Sequence, residues 1–295
     1  MPNPDHFGFA FVSGMDAIAQ TIRLPAINLR DPRYYQIAVL SSLVTFGVVG
    51  LDFGISAYNA IAIVFTALVV QLAATKLTGL PKFDPLSPLI TALSLTLLLR
   101  TDMVTLAALA AAIAIGSKFL VRIRGKHVFN PANLAIVTLM LASDHAWISS
   151  GQWGSAAIGA FALACLGFVV LTRAKRSETT VMFLFTYATL LFARALWLGD
   201  PLAIPLHQLQ NGALLIFAFF MISDPKTTPN TRSGRVIYGS LVAGVAVFIQ
   251  FVLYEPSAPV LALIVCAPVV PLIDMLRRGE TYNWSYPAGF SKGVS

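Results

Sequence analysis

The sequence predicts an all-α protein that crosses a membrane many times. Hydrophobic residues make up 57% of the 295 residues and only 11% are charged, whereas a soluble domain carries about 25% charged residues. Mean hydropathy is +0.77, and apolar segments alternate with short polar breaks along the chain. Because one span needs about 20 apolar residues, the length leaves room for roughly ten spans and no separate extramembrane domain.

Ten apolar segments account for this pattern. They are Tyr34–Leu51, Tyr58–Leu77, Leu86–Leu99, Met103–Val121, Phe129–Ala142, Trp153–Thr172, Val181–Gly199, Leu206–Ser223, Val236–Tyr254 and Ala258–Ile273. The third and fifth are short for straight crossings, and prolines or a polar turn precede each of them. Short, proline-interrupted segments are typical of half-helices that line a cavity inside a membrane protein.

The basic residues orient these segments. If all ten cross, every Lys and Arg except Arg100 and Arg194 falls on the side of the two termini. The positive-inside rule then predicts that both termini are cytoplasmic. Cytoplasmic loops thus explain the net charge of +7, which favours the lipid bilayer rather than nucleic acid as a partner.

The segments also pair five against five, which predicts two inverted five-helix repeats. In residues 95–105 and 218–228, an apolar run ends at an Asp. In residues 129–139 and 254–264, a proline follows an aromatic and a polar residue. Inverted repeats place a binding site between them, although chance similarity in apolar sequence is the alternative explanation. The predicted parts are a cytoplasmic segment at 1–33, repeats at 34–145 and 146–275, and a cytoplasmic tail at 276–295.

Several kinds of site are not indicated by the sequence. No acidic residue lies in the middle of a segment, where a proton or ion relay would place one. The four histidines and the two cysteines, Cys165 and Cys266, lack metal-ligand spacing, so no metal site is predicted. No nucleophile paired with a base stands out either, which argues against an enzyme that acts alone.

The stretch 125–136 is the first candidate binding element. Pro131 is suited to the first turn of a helix, with Asn130 before it as the N-cap and Asn133 facing that turn. A broken helix that starts inside the protein presents free N–H groups to a phosphate or an electron-rich ring carbonyl. The alternative is that Asn130 only caps the helix.

The stretch 219–235 is the second candidate. Asp224 precedes a proline and ends the eighth segment, and the following residues supply hydroxyls, amides and cations. We predict that Asp224, Thr227, Thr228 and Arg235 contact an anionic or polar cofactor at the cytoplasmic face. An ordinary basic loop rich in turn residues is the alternative.

Three polar residues within the segments suggest a pathway. Thr91 and Ser94 lie on the third segment and Asn211 on the eighth, the two segments that the repeat pairs around the central axis. Hydrogen bonds between helices are the other explanation for such residues.

The two stretches resemble signature segments of the RnfD/NqrB family, membrane subunits of the Rnf and Na⁺-translocating NADH:quinone reductase complexes. The matching patterns are Phe-Asn-Pro-Ala at 129–132 and Asp-Pro-x-Thr-x-Pro at 224–229. The resemblance implies ten helices in inverted repeats, a fold similar to that of urea transporters, in the inner membrane of a bacterium. It also implies flavin binding and electron transfer with other redox or flavin-carrying subunits. It leaves open whether the chain is an enzyme in any sense beyond a flavin-carrying subunit of a translocase.

One departure from the family pattern concerns the flavin. Family members carry FMN linked to the threonine of a Ser-Gly-Ala-Thr motif, in the loop between the fifth and sixth helices. Here Ser150-Gly151 is followed by Gln152-Trp153, without a threonine. The sequence therefore predicts non-covalent FMN or riboflavin in an electron-transfer subunit. A channel or facilitator for a small polar solute, urea-like or a flavin precursor, is the alternative function.

Overall fold

The computed structural model describes residues 31–49, 54–148 and 177–282, and its secondary structure is almost entirely helical. In chain order the helices are α1 Pro32–Val49, α2 Ala57–Leu77, α3 Leu86–Leu98, α4 Val104–Leu120, α5 Pro131–Ala142, α6 Ser177–Leu198, α7 Ala203–Leu209, α8 Gly212–Ile216, α9 Arg232–Val252, α10 Ala258–Cys266 and α11 Val269–Leu276. Helix α8 continues directly into a π-helical stretch at Phe217–Met221.

Two short antiparallel sheets lie between the helices. Strand β1 (Leu99–Thr101) pairs with β4 (Ala146–Ile148), in the register Arg100 opposite Trp147. Strands β2 (Arg122–Ile123) and β3 (Lys126–His127) form a hairpin between α4 and α5. The hairpin turns through Arg124 and Gly125, both at positive φ, a backbone conformation typical of two-residue hairpin turns.

The predicted apolar segments agree closely with the helices. Each segment within the described residues coincides, to within a few residues, with one helix or with a bent pair of helices. The sixth, Trp153–Thr172, lies outside the described residues. The sequence treats the eighth and tenth segments as single runs, whereas the structure divides them, because Asn211 caps a new helix at α8 and Pro268 starts another at α11.

Length and composition identify three helices able to cross a membrane, α2, α6 and α9. The number rises to five if two bent pairs each count as one span. One pair is α7 with α8 and its π-helical extension, bent by 50°, and the other is α10 with α11, bent by 47°. Helices α3, α4 and α5 are apolar but shorter. The described residues therefore form a helical membrane protein, and the ten-span inverted repeat stays a prediction.

Packing places the short helices in the middle. Helix α2 packs against α3 and α4, α6 against α9, and α9 against α10. Gly239 permits the α6–α9 contact, since a Cβ there would lie 2.6 Å from the Thr179 carbonyl oxygen. The largest side chains of the core, such as Leu95 and Phe217, are almost inaccessible to solvent.

Large apolar side chains point outward on the long helices. Along α2, Ile61 and Phe65 are two-thirds exposed, and Phe185 on α6 and Trp197 near its end are similarly uncovered. An apolar outer surface of this kind is expected where lipid chains replace water around a protein. The polar groups therefore lie inside the bundle and at its two ends.

Candidate functional site

A charged cavity, the inner vestibule, lies at the starts of α3 and α5. Its volume is about 70 Å³, room for a few water molecules. Four residues singled out in the sequence line it together, namely Thr91, Ser94, Asn130 and Asp224. The structure thus brings the Phe-Asn-Pro-Ala stretch, the Asp-Pro turn and part of the predicted pathway to one place.

Lys118 is the residue of this vestibule that the sequence reasoning missed. Its side chain is 7% exposed, and its Nζ donates to Thr91 Oγ1 at 2.8 Å, to Ser87 Oγ at 3.1 Å and to the Ser87 carbonyl oxygen at 3.3 Å. A buried ammonium is stable only when such acceptors surround it. In the sequence Lys118 resembles the other basic residues at the inner ends of the spans. It differs from them only in lying inside the helix α4.

The Asp-Pro turn brings a carboxyl group close to this lysine. Asp224 Oδ1 accepts from the Lys226 backbone N–H at 3.0 Å. The Asp224 carbonyl oxygen accepts from the Thr227 and Thr228 N–H groups, both at 3.1 Å. Burial raises the pKa of the Asp224 carboxyl, while the Lys226 amide and the charge of Lys118 oppose that rise. The turn therefore fixes one carboxyl group at the rim of a vestibule that also holds a buried cation.

His127, on β3, lines the vestibule from the hairpin side. Burial lowers the pKa of its imidazole to about 4, and the positive charges of Lys118, Arg122 and Lys226 add to this effect. The ring is therefore neutral at pH 7. Its Nδ1 is buried and has no hydrogen-bond partner among the described residues, so a polar atom is available here to a ligand.

The asparagines of the first stretch hold helices together. Asn130 Oδ1 caps α5 by accepting from the Asn133 N–H at 3.0 Å, and its Nδ2 donates to the Met221 carbonyl oxygen at 3.2 Å. Asn133 is fully buried and donates from Nδ2 to the Val260 carbonyl oxygen at 3.0 Å. The predicted cap at Asn130 is confirmed, and Asn130 also lines the vestibule whereas Asn133 lies behind it.

The other residues predicted from the second stretch are buried, Thr227 and Thr228 in the loop and Arg235 in the first turn of α9. Arg235 donates from Nε to Glu178 Oε2 at 3.1 Å and from Nη1 to the Asn230 carbonyl oxygen at 2.8 Å. Thr227 Oγ1 donates to the Asp224 carbonyl oxygen, and Thr228 Oγ1 is buried without a partner among the described residues. Their contacts with a ligand stay a prediction, since none of them lines the inner vestibule.

A second vestibule, the outer vestibule, holds Asn211. Its volume is about 120 Å³, and its polar lining is uncharged, with the Tyr187 hydroxyl hydrogen-bonded to Gln250. On α3, Ser94 faces the inner vestibule and Leu98 the outer one, so about one helical turn, roughly 6 Å, separates them. The three residues predicted to line a pathway are thus divided between two cavities.

A larger cavity, the hairpin cavity, lies between the β2–β3 hairpin and α11. Its volume is about 450 Å³. Lys126 closes its floor, donating from Nζ to Asp274 Oδ2 at 2.8 Å, to Asn230 Oδ1 at 3.1 Å and to the Thr228 carbonyl oxygen. The Asn230 N–H donates to Asp274 Oδ1 at 2.8 Å. These bonds tie the hairpin and α11 to the 224–235 loop.

His127 lines the hairpin cavity as well as the inner vestibule. The rest of the cavity wall combines apolar side chains, among them Val270, Pro271 and Met275, with the polar groups of the floor. A ligand pocket for a ring system has this composition, with apolar walls and a few fixed polar groups.

Comparison with known proteins shows a similarity that covers the second half of the chain. Residues 146–283 match the model of the NQR2, RnfD, RnfE family, a range that includes the 224–235 loop, α10 and α11. Three similar proteins are each named as a component of an ion-translocating oxidoreductase complex. The Tolumonas auensis protein is 35% identical over 81 residues, 28% of this chain and 23% of that protein.

The other two relatives come from enteric bacteria. The Citrobacter koseri protein is 30% identical over 138 residues, 47% of this chain and 35% of its own length. The protein of Salmonella paratyphi B is 39% identical over 120 residues, 39% of this chain and 33% of its own length. The chain thus spans about a third of the length of the curated relatives it matches. Residues 146–283 of the chain are thus similar to the NQR2, RnfD, RnfE family.

Proposed function

We propose that this chain is a membrane subunit of an ion-translocating electron transport complex of the RnfD type, and that it binds a flavin without a covalent link. The observation that carries the proposal is the family match over residues 146–283, which contains the 224–235 loop and most of the wall of the hairpin cavity. The subunit acts in the bacterial inner membrane with both termini in the cytoplasm, and electrons pass between its flavin and other redox subunits.

The hairpin cavity suits a flavin better than the inner vestibule does. A system of three fused six-membered rings needs a pocket at the lower end of the usual range of about 300–1,000 Å³. The hairpin cavity has about 450 Å³, whereas the inner vestibule has about 70 Å³. Val270, Pro271 and Met275 offer apolar surface to the ring faces.

The polar groups of the hairpin cavity also fit a flavin ring. Asn230 lines the cavity, where its amide can bind ring carbonyl and imide groups. The unpartnered Nδ1 of His127 offers one further polar contact. Lys126 contributes a fixed positive charge rather than a hydrogen bond, since its three N–H donors are all engaged by Thr228, Asn230 and Asp274.

The flavin supplies the electron-transfer chemistry when it is bound. The chain binds and orients the ring and excludes water from one of its faces. The neutral His127 and the carboxyl group of Asp224, whose pKa burial raises, line the inner vestibule next to the cavity. They provide groups that can hold a proton close to the site.

The packing of the two halves supports the inverted repeat as part of the proposal. Helices α2, α4 and α5 pack in sequence, as do α6, α9 and α10. Lys118 is the third residue from the end of α4, and Gln250 is the third from the end of α9. Each lines the vestibule of its own half, which is the relation that a repeat of opposite orientation produces.

Flavin extraction tests the function directly. We expect the full chain, purified from membranes in mild detergent with its accompanying subunits, to release flavin into the supernatant when it is precipitated with acid. We also expect the accompanying proteins to include redox subunits. A preparation without flavin in the chain or in any accompanying subunit contradicts the proposal, and flavin that stays on the chain after acid treatment contradicts the non-covalent link.

A further inference from the structure

The hairpin cavity carries positive charge that the protein itself does not neutralise. Arg124, Lys126 and Arg278 line it, together with one acid, Asp274. Both oxygens of Asp274 are engaged, Oδ1 by the Asn230 N–H and Oδ2 by Lys126 Nζ. Among the described residues neither Arg124 nor Arg278 forms an ion pair, and both are exposed. Glu280 follows closely in sequence but does not line the cavity.

The backbone holds these two arginines on opposite walls of the cavity. Arg124 occupies the tip of the hairpin at φ 52°, and the Arg122 side chain donates to the Gly125 carbonyl oxygen at 3.1 Å and braces that turn. Arg278 lies just beyond the end of α11, whose position the Lys126–Asp274 ion pair fixes against the hairpin. The two arginines therefore line the same cavity, one from the hairpin and one from the end of α11.

We propose that Arg124 and Arg278 form a phosphate-binding clamp at the mouth of the hairpin cavity. Guanidinium groups bind phosphate through paired, charge-assisted hydrogen bonds. If the cavity holds a flavin, as proposed above, the clamp makes that flavin a phosphate-bearing one, FMN rather than riboflavin. The phosphate of an anionic lipid is the other source of the same chemistry, since basic clusters at the cytoplasmic face attract such lipids.

Two other cations near the site are not available for this role. Arg235 is 8% exposed and engaged by Glu178 and by the Asn230 carbonyl oxygen. Lys118 is buried among the oxygens of Ser87 and Thr91. Arg124 and Arg278, in contrast, face open space with their charge uncompensated by the cavity wall.

A comparison of FMN with riboflavin tests the clamp. The full chain is stripped of flavin and titrated with each compound, and the quenching of flavin fluorescence gives the dissociation constants. We expect wild-type protein to bind FMN about tenfold to thirtyfold more tightly than riboflavin. Arg124→Gln/Arg278→Gln should remove that preference and leave riboflavin binding unchanged. Lys76→Gln/Lys82→Gln, which removes two exposed lysines away from the cavity, should keep it.

The outcomes separate the clamp from the proposed function. Equal binding of FMN and riboflavin by the wild-type protein overturns the clamp and leaves a flavin-binding subunit. If neither compound binds, the proposed flavin site is wrong, and native mass spectrometry of protein mixed with phosphatidylglycerol or phosphatidylcholine then decides the clamp. Phosphatidylglycerol retained by wild type and lost from the double variant assigns the clamp to a lipid phosphate. Equal retention by both overturns it.

Discussion

The inner and outer vestibules share a backbone plan and differ in charge. Each is formed where two short helices begin, at α3 and α5 on one side and at α8 and α10 on the other. An asparagine caps one helix in each, Asn130 and Asn211. The inner vestibule also holds Lys118, Asp224 and His127, whereas the outer one is uncharged. The same backbone arrangement therefore presents charged groups in one cavity and only uncharged polar groups in the other.

The largest expected effect comes from removing the buried cation. Lys118→Met should lower the free energy of unfolding by about 3 kcal/mol, because bonds to a charged donor are lost and Asp224 loses its nearby positive charge. Gln250→Met, at the matching place in the outer vestibule, should cost only about 1 kcal/mol. Thermal unfolding in detergent measures both. Equal losses of unfolding free energy in the two variants would show that the charge of Lys118 does not contribute to stability.

The next effect distinguishes two arginines on one helix. Arg235→Ala should destabilise the protein by about 2–3 kcal/mol, because it breaks two charge-assisted bonds and leaves Glu178 with a weaker partner. Arg232 contacts the same carboxylate but is 82% exposed, so Arg232→Ala should change stability by about 0.5 kcal/mol or less. If Arg235→Ala leaves unfolding unchanged and instead weakens FMN binding, Arg235 is a ligand contact, as the sequence predicts.

The third effect depends on pH and on His127. Its pKa is about 4 in the folded protein and about 6.5 in the unfolded chain. Between these values the unfolded chain binds more protons, so stability falls as pH falls. We expect wild type to lose about 2 kcal/mol between pH 7 and about pH 4 from this group, after allowance for solvent screening.

Variants at two histidines isolate that effect. His127→Gln should flatten the rise of stability with pH above about pH 5, because ordinary carboxyl groups are ionised there. Asp224, whose pKa burial raises, acts in the opposite direction and stays in both proteins. His145→Gln changes an exposed histidine beside Asp102 and serves as the control for replacing a histidine by glutamine. Unfolding curves collected at several pH values give both slopes. A slope that His127→Gln leaves unchanged contradicts the buried, neutral imidazole.

The smallest effect compares the two asparagine caps. Asn130→Ala should cost about 2 kcal/mol, because the cap and the bond to the Met221 carbonyl oxygen are both lost. Asn211→Ala should cost about 1 kcal/mol, because its side chain caps α8 alone. Chemical denaturation in detergent measures the difference. A larger loss of stability for Asn211→Ala than for Asn130→Ala would contradict the extra contribution of the Asn130 bond to the Met221 carbonyl oxygen.

The sequence predicts the helices well because apolar length alone identifies them. It also predicts the cap at Asn130, since an asparagine before a proline is a local signal. The division of the tenth segment is less visible, because the residues on both sides of Pro268 are equally apolar. The division of the eighth lies in a polar stretch, 207–211, which a hydropathy pattern joins to the apolar run that follows it. Local sequence therefore indicates where helices lie more reliably than where they bend.

The site is predicted only in part, because its residues come from distant segments. Asn130 and Asp224 were found by motif, and the structure places both in the inner vestibule. Lys118 was missed because its burial depends on Ser87 and Thr91, about 30 residues earlier. The hairpin cavity was missed for the same reason, since the Lys126–Asp274 ion pair that builds it joins residues far apart in the chain.

The central claim is that flavin binds in the hairpin cavity, on the charged side of the molecule. The most direct test fills one cavity at a time and measures the flavin released by acid from each purified variant. Thr281→Trp fills the hairpin cavity and Ser257→Trp fills the outer vestibule. The account predicts that Thr281→Trp loses most of its flavin while Ser257→Trp keeps the wild-type amount. Full flavin in Thr281→Trp together with its loss from Ser257→Trp would contradict it.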